Sequence, residues 1–198
     1  MLRRIDPKLR LSYSLYKLWL KSDWYGIWEY LTETSRISNE SQAKGKLVHT
    51  WLEEHGLPKK LQDITGKFKG NIILDYKTGS LSGYTDQLNF YAWLKSNVGN
   101  LEEGKEIKME VEYEDYVAVG IMDYFIPGNG QSHAILAQVK PVYNEEKIQE
   151  IIVSKTACYH VTQKWLKPWE LILDEVANSI KYRIHEGDLD NFMENMFF

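Results

Sequence analysis

Apolar positions recur at helical spacing through the first thirty residues. Leu11, Leu15, Leu18 and Trp19 step by three and four, and Trp24, Trp28 and Leu31 continue the stripe past Ser22-Asp23. This predicts a helix over 9–31, capped by Ser12 or Ser14 and interrupted at 22–23. The polar run 32–42 reads as a loop. Leu47, Val48, Trp51 and Leu52 predict a second helix over 43–55 with a buried stripe, ended by Gly56 and Pro58. The pattern then turns strand-like, and 63–69 and 72–79 predict a β-hairpin reversing at Gly70-Asn71. A helix is predicted over 84–96, followed by strands over 107–114, 116–126 and 133–143, with Pro127–Gly130 as the turn between the last two. From 144 to 185 the spacing is helical again, broken at Lys167-Pro168, and Ile172, Val176 and Ile180 step by four. The tail 188–198 ends in apolar residues that would dock on the body or on a partner. This order predicts an α/β architecture: a mixed β-sheet flanked by helices, with an N-terminal helical segment and C-terminal helices.

Composition narrows the picture. A chain of 198 residues suits a single domain spanning 1–198. A formal charge of −4 excludes a globally basic nucleic-acid binder, although a local basic patch can still serve. Cys158 is the only cysteine, so no disulfide forms within the chain and no iron–sulfur cluster is expected. It reads as a small core residue. An intracellular compartment follows from the cysteine usage, and no membrane-spanning run or signal peptide is visible. The many Trp and Tyr residues read as core and interface packing, with Tyr84 and Trp93 as alternative base-stacking positions. His55, His133, His160 and His185 show no metal-ligand spacing.

The chemistry concentrates in residues 71–94, NIILDYKTGSLSGYTDQLNFYAWL. Asp75 and Lys77 are two apart on a predicted strand, so they share one face, while Leu74 and Tyr76 take the other. A carboxylate and an amine side by side at a strand end suit metal-assisted phosphodiester cleavage: the carboxylate holds a cation and the lysine stabilises developing negative charge. A solvated ion pair is the plainer alternative, and it contributes little to stability. Gln87 and Tyr91 lie one helical turn apart on the next helix.

The run DYKTG followed by Gln87-x-x-x-Tyr91 resembles the RecB-type branch of the PD-(D/E)XK nuclease superfamily, including the CRISPR-associated RecB-like exonucleases. Upstream, LSYSLYKLWL resembles that group's Ser-x-Ser entry helix, and AKGKLVHTWLEE its G-x-x-x-H helix. Downstream, the strand pair and the segment after VKPVYNEEKI resemble its C-terminal hairpin and closing helices. The resemblance covers most of the chain and implies a restriction-endonuclease-like core. It implies that His49 and Asp75 are metal ligands, joined by the Tyr76 carbonyl. Lys77 would be the catalytic lysine, and Gln87 and Tyr91 would line the site. It further implies Mg²⁺ or Mn²⁺ as cofactor, and single-stranded DNA or DNA ends as partner in recombination, repair or replication. A helicase or replication protein is a second possible partner.

The chain departs from that group at one position. The group carries an aspartate in a G-x-x-D strand just before the D-x-K strand, whereas Gly66-Lys67-Phe68-Lys69 places Lys69 there. A lysine repels a cation. Asp63 lies six residues back, roughly 20 Å along an extended strand, and cannot substitute. Gly120-Ile121-Met122-Asp123 has the missing form and is followed by Gln138-Val139-Lys140, a D-x-K-like strand lacking its acid. Either Asp123 completes the metal site in space, or it is a surface residue; Glu110 or Glu112 is a third source. The leading expectation is a metal-dependent DNA nuclease. The alternative is a catalytically weakened nuclease-fold protein that binds DNA or a protein partner.

Overall fold

A computed structural model describes residues 8–32 and 40–185; the remainder of the expected 32–42 loop and the whole 188–198 tail lie outside the described residues. Contacts group the chain into two compact units. One comprises the described parts of 1–36, 110–120 and 168–198, and the other those of 37–109 and 121–167. The described residues form six helices and a mixed five-stranded sheet, an α/β arrangement consistent with a restriction-endonuclease-like fold. None of the described helices is long and apolar enough to cross a membrane.

The first unit starts with a short strand, not a helix. β1 (Leu9–Leu11) buries Leu9 and Leu11, turns Arg10 outward to an ion pair with Glu110, and pairs in parallel with residues 116–118. Helix starts only after Ser12, whose hydroxyl accepts the Leu15 N–H and caps α1 (Tyr13–Leu20). Ser22 takes a left-handed φ of 52°, which ends α1. Asp23 then accepts the Gly26 N–H at 2.8 Å and opens α2 (Trp24–Thr32), so the expected interruption lies where it was predicted.

The second unit carries α3 (Glu40–His55), which Gly56 stops at a φ of 80°. Val48 and Leu52 are buried, but Leu47 is exposed, so the expected stripe is narrower by one residue. The expected hairpin at 63–79 does not form. Residues Lys59–Thr65 are helical (α4), with Leu61 and Thr65 buried one turn apart. Gly70 opens the strand β2 (Gly70–Lys77) and does not make a turn. A Cβ there would collide with the Gln131 carbonyl, so the glycine lets residues 128–131 cross close over the strand's start. Helix α5 (Thr85–Asn97) follows, then strand β3 (Gly104–Glu112).

Strand β4 (Tyr116–Asn144) reverses direction at the expected 127–130 turn, crossing the start of β2 there, and its two arms embrace β2. Ile72, Ile73 and Leu74 pair with Ile126, Phe125 and Tyr124 in descending order, and residues 72–77 pair with 133–138 in ascending order. β2 is therefore antiparallel to one arm and parallel to the other. The next segment, expected to be helical from 144, is strand β5 (Lys147–His160), antiparallel to the second arm. Only after Pro168 does α6 (Trp169–His185) begin, burying Trp169, Leu173, Val176, Ala177 and Ile180.

A two-residue turn joins β4 to β5. Asn144 pairs with Lys147, and Glu145 and Glu146 both take positive φ, 46° and 66°. That is the hairpin turn in which Asn-Gly is favoured, and an L-glutamate there is strained. The double change Glu145→Asn, Glu146→Gly is therefore expected to raise stability by about 1 kcal/mol. Urea unfolding checks this; an unchanged midpoint would show that the turn carries no strain.

Candidate functional site

Strand alternation sorts the second unit into two faces. Ile72, Leu74 and Tyr76 of β2, Ile135, Ala137 and Val139 of β4, and Ile151 and Val153 of β5 join Val48, Leu52 and Leu61 in one apolar core under α3 and α4. The intervening residues face the other way, towards α5. There the register aligns Ile73, Ala134 and Tyr159 in one row, Asp75, Leu136 and Ala157 in the next, and Lys77, Gln138 and Lys155 in the third.

Asp75 is buried, with 1% of its surface exposed, and Asp123 is 8% exposed. The descending pairing of β2 with the first arm of β4 sets the two carboxyl groups beside each other, near enough for each to shift the other's pKa. Asp123 also accepts the Tyr76 N–H at 2.7 Å, which fixes its position on the strand. Lys77 Nζ lies 3.1 Å from Asp75 Oδ1 and 2.9 Å from Oδ2, but its direction suits a hydrogen bond to Oδ1 alone. Oδ2 is left buried with no donor. His49 Nδ1 stands 3.6 Å from Asp123 Oδ1, and its ring packs 4.8 Å from the Tyr76 ring. The Lys77 ammonium also lies 5.1 Å from the centre of the Tyr84 ring.

Burial and the neighbouring Asp123 push the Asp75 carboxyl up to about 8, against the pull of Lys77. Burial raises Asp123 as well, opposed by Lys77 and the Tyr76 N–H. Burial works against the Lys77 ammonium, but Asp75 and Asp123 outweigh it and hold its pKa above the ordinary value. Burial, then Lys77, lowers His49. Two carboxylates cannot both stay charged in this setting without a proton or a cation between them. Among the described residues, no three His, Cys, Asp or Glu side chains converge as a ready-made cage. The donors present still suit Mg²⁺ or Mn²⁺, which takes one or two carboxylates and fills its other positions with water and phosphate oxygens. Asp75 Oδ2, buried with the Lys77 ammonium beside it at 2.9 Å, is the atom on which such an ion would bear.

These shifts fix a pH dependence. Asp75 binds its proton up to about pH 8 in the folded chain but only up to about 4 when unfolded. The folded state therefore holds the extra proton, and its contribution to stability is lost as pH rises through 8. In EDTA the melting temperature is expected to fall between about pH 4 and pH 8 and then level off, and Asp75→Asn should flatten that slope. An equal slope in both proteins would assign the effect to other groups.

The remaining predicted positions fall as follows. Gln87 donates to the Tyr91 hydroxyl at 2.6 Å, so the two form a pair on α5 as their spacing implied. Tyr76 is itself buried in the core under α3. Trp93 is a core residue. Lys69 precedes β2 at the end away from Asp75, roughly 20 Å along the strand. It lines a pocket with Phe68, Glu103 and Tyr124. The repulsion expected from Lys69 therefore does not reach the carboxylates. Asp63 is on α4, paired with Lys59. Glu110 and Glu112 pair with Arg10 and Lys8. Gln138 sits beside Lys77 and donates to the Gly79 carbonyl at 2.8 Å. Cys158 is exposed on β5, not in the core, because the segment is an edge strand and not a packed helix. Sequence reasoning missed Lys155 and Tyr159, which the helical reading of 144–160 removed from any sheet. Residues 151–153 are apolar throughout, so no alternating pattern in the sequence marked a strand there.

The chain matches no family model, no curated protein and no solved structure.

Proposed function

We propose that the chain is a Mg²⁺- or Mn²⁺-dependent deoxyribonuclease of the PD-(D/E)XK kind, acting on single-stranded DNA or DNA ends. The observation that carries this reading is the contact of Asp123 with Asp75 beside Lys77. It places the G-x-x-D aspartate, which the chain order had displaced, next to the D-x-K strand. A bound cation would supply an activated water and neutralise charge at the scissile phosphate. Asp75 and Asp123 would hold it, with Asp123 steadied by the Tyr76 N–H and His49 alongside. Lys77 keeps its proton at Nζ and would stabilise negative charge building on the phosphate. The Tyr84 ring and the Asp75 carboxylate orient it.

One observation favours a second reading, a nuclease-fold protein that binds DNA or a protein partner without cutting. Lys77 Nζ lies 2.9 Å from Asp75 Oδ2, the position a cation would take beside that carboxyl group. The deciding experiment incubates the pure chain with labelled single-stranded and duplex DNA in Mg²⁺, Mn²⁺ or EDTA. Cleavage in either cation and none in EDTA supports the nuclease. No cleavage in any condition, with DNA retained by the protein, selects the binding module.

A further inference from the structure

The face of the sheet that carries Asp75 and Lys77 continues beyond them to the edge strand. In the Lys77 row the next residues are Gln138 and Lys155, so Lys155 lies two strands away, about 10 Å, on the same side. Lys155 is exposed. Two rows along, Tyr159 projects from β5 on that side, half-buried, with its hydroxyl 3.3 Å from Thr85 Oγ1 at the start of α5. Thr85 follows Tyr84, the residue against which Lys77 rests. The Tyr159 ring stacks on Trp165 at 5.4 Å and 23°.

Trp165 sits on a short connection that the fold holds firmly. Thr162 caps the Trp165 N–H at 3.2 Å. Asn89, a buried side chain on α5, donates to the Trp165 carbonyl at 2.6 Å and accepts the Lys167 N–H at 3.0 Å. A buried amide thus holds the Trp165 carbonyl on one side and the Lys167 N–H on the other, fixing the connection that carries a half-exposed tryptophan. Lys164, beside it in the chain, is exposed. Core packing does not require this arrangement, because neither aromatic ring is buried.

We infer that Lys155, Tyr159 and Trp165 form a track for single-stranded DNA, leading from the β5 edge to Asp75 and Lys77. The occupant is set by chemistry. Rigid aromatic faces next to separated ammonium groups match unpaired bases and their phosphates, whereas a duplex keeps its bases stacked inside. This inference rests on the nuclease reading only for what happens at the far end of the track; the binding itself does not need cleavage.

The test measures anisotropy of labelled oligothymidine, oligouridine and a matched DNA duplex on the full chain in EDTA, where no turnover occurs. Wild type is expected to bind oligothymidine at least tenfold more tightly than the duplex. Trp165→Leu should weaken that by five- to a hundredfold, the usual range for a lost base stack. Trp165→Phe, which keeps a ring, should recover most of it. Lys155→Gln, at an exposed site that the fold does not need, should weaken it severalfold and flatten its salt dependence. Lys147→Gln, on the same strand near the β4–β5 turn, should change nothing. Equal affinity of wild type, Lys155→Gln and Trp165→Leu for oligothymidine would overturn the track, as would preference for the duplex. Tighter binding of oligouridine than of oligothymidine would overturn DNA as the occupant. Cleavage of duplex with no single-strand binding would sink the track and leave the nuclease standing. Variant-sensitive binding without cleavage in any cation would do the reverse.

Discussion

Asp75→Asn is expected to abolish cation-dependent DNA cleavage while leaving the chain folded. The substitution keeps the shape of a side chain that is 1% exposed, and it keeps an oxygen for Lys77 to meet. It removes the negative charge that would hold the cation, and with it several kcal/mol of transition-state stabilisation, on the order of 10³-fold or more in rate. Asp123→Asn should fall nearly as far, because the two carboxylates would share one ion, and the double variant should be little worse than either single one. Stability should move the other way. Replacing Asp75 removes a buried carboxyl held next to Asp123, so the variant should melt at the same or a higher temperature at pH 8. Single-turnover cleavage in Mn²⁺ and a melting curve on the same preparations give both readouts. Retention of more than about a tenth of wild-type rate by a folded Asp75→Asn would move the chemistry elsewhere.

Trp169→Ala is expected to cost about 3–5 kcal/mol, enough to unfold much of a marginally stable domain at room temperature. The ring is fully buried at the start of α6 and meets Tyr13 and Tyr16 edge-on, at 6.0 Å and 5.2 Å between ring centres. Truncation opens a cavity between α1 and α6, two stretches distant in sequence that cannot fully close on it. Trp169→Phe keeps an aromatic edge and should cost roughly 1–2 kcal/mol. Urea unfolding followed by circular dichroism checks both, and a loss below about 1 kcal/mol for the alanine would show that the surrounding side chains collapse onto the gap.

How far these features could be read from the chain depended on whether the decisive contacts were local. α5 was legible to within a residue or two at each end, and the Gln87–Tyr91 pair follows from its pitch alone. β2 was legible from its apolar run and the polar residues after it. The segment 144–160 was not. Glu145, Glu146, Lys147 and Gln149 are good helix formers, and Ile148, Ile151 and Ile152 also fit a helical stripe. What overrides them is pairing with the second arm of β4, which no local pattern announces. The stretch before β2 failed similarly: Gly70-Asn71 has turn chemistry, but Gly70 is there to admit the backbone of 128–131. Asp123 was legible as a candidate from its G-x-x-D spacing. Whether it reached Asp75 depended on which strand lay next to β2, and that is a property of the whole sheet. The same sheet register explains why Lys69, adjacent in sequence to the D-x-K strand, is irrelevant to the carboxylates.

The embrace of β2 by the two arms of β4 sets an order of events during synthesis. The D-x-K strand leaves the ribosome about fifty residues before Asp123 and longer before residues 133–138, yet it needs both neighbours to complete its ladder. Its contacts are of high sequence separation, which makes their formation slow and late. A nascent chain released before residue 123 exposes an apolar strand bare on both edges, a template for aggregation. It also lacks the carboxylate pair altogether. Assembly of that pair coincides with completion of the sheet.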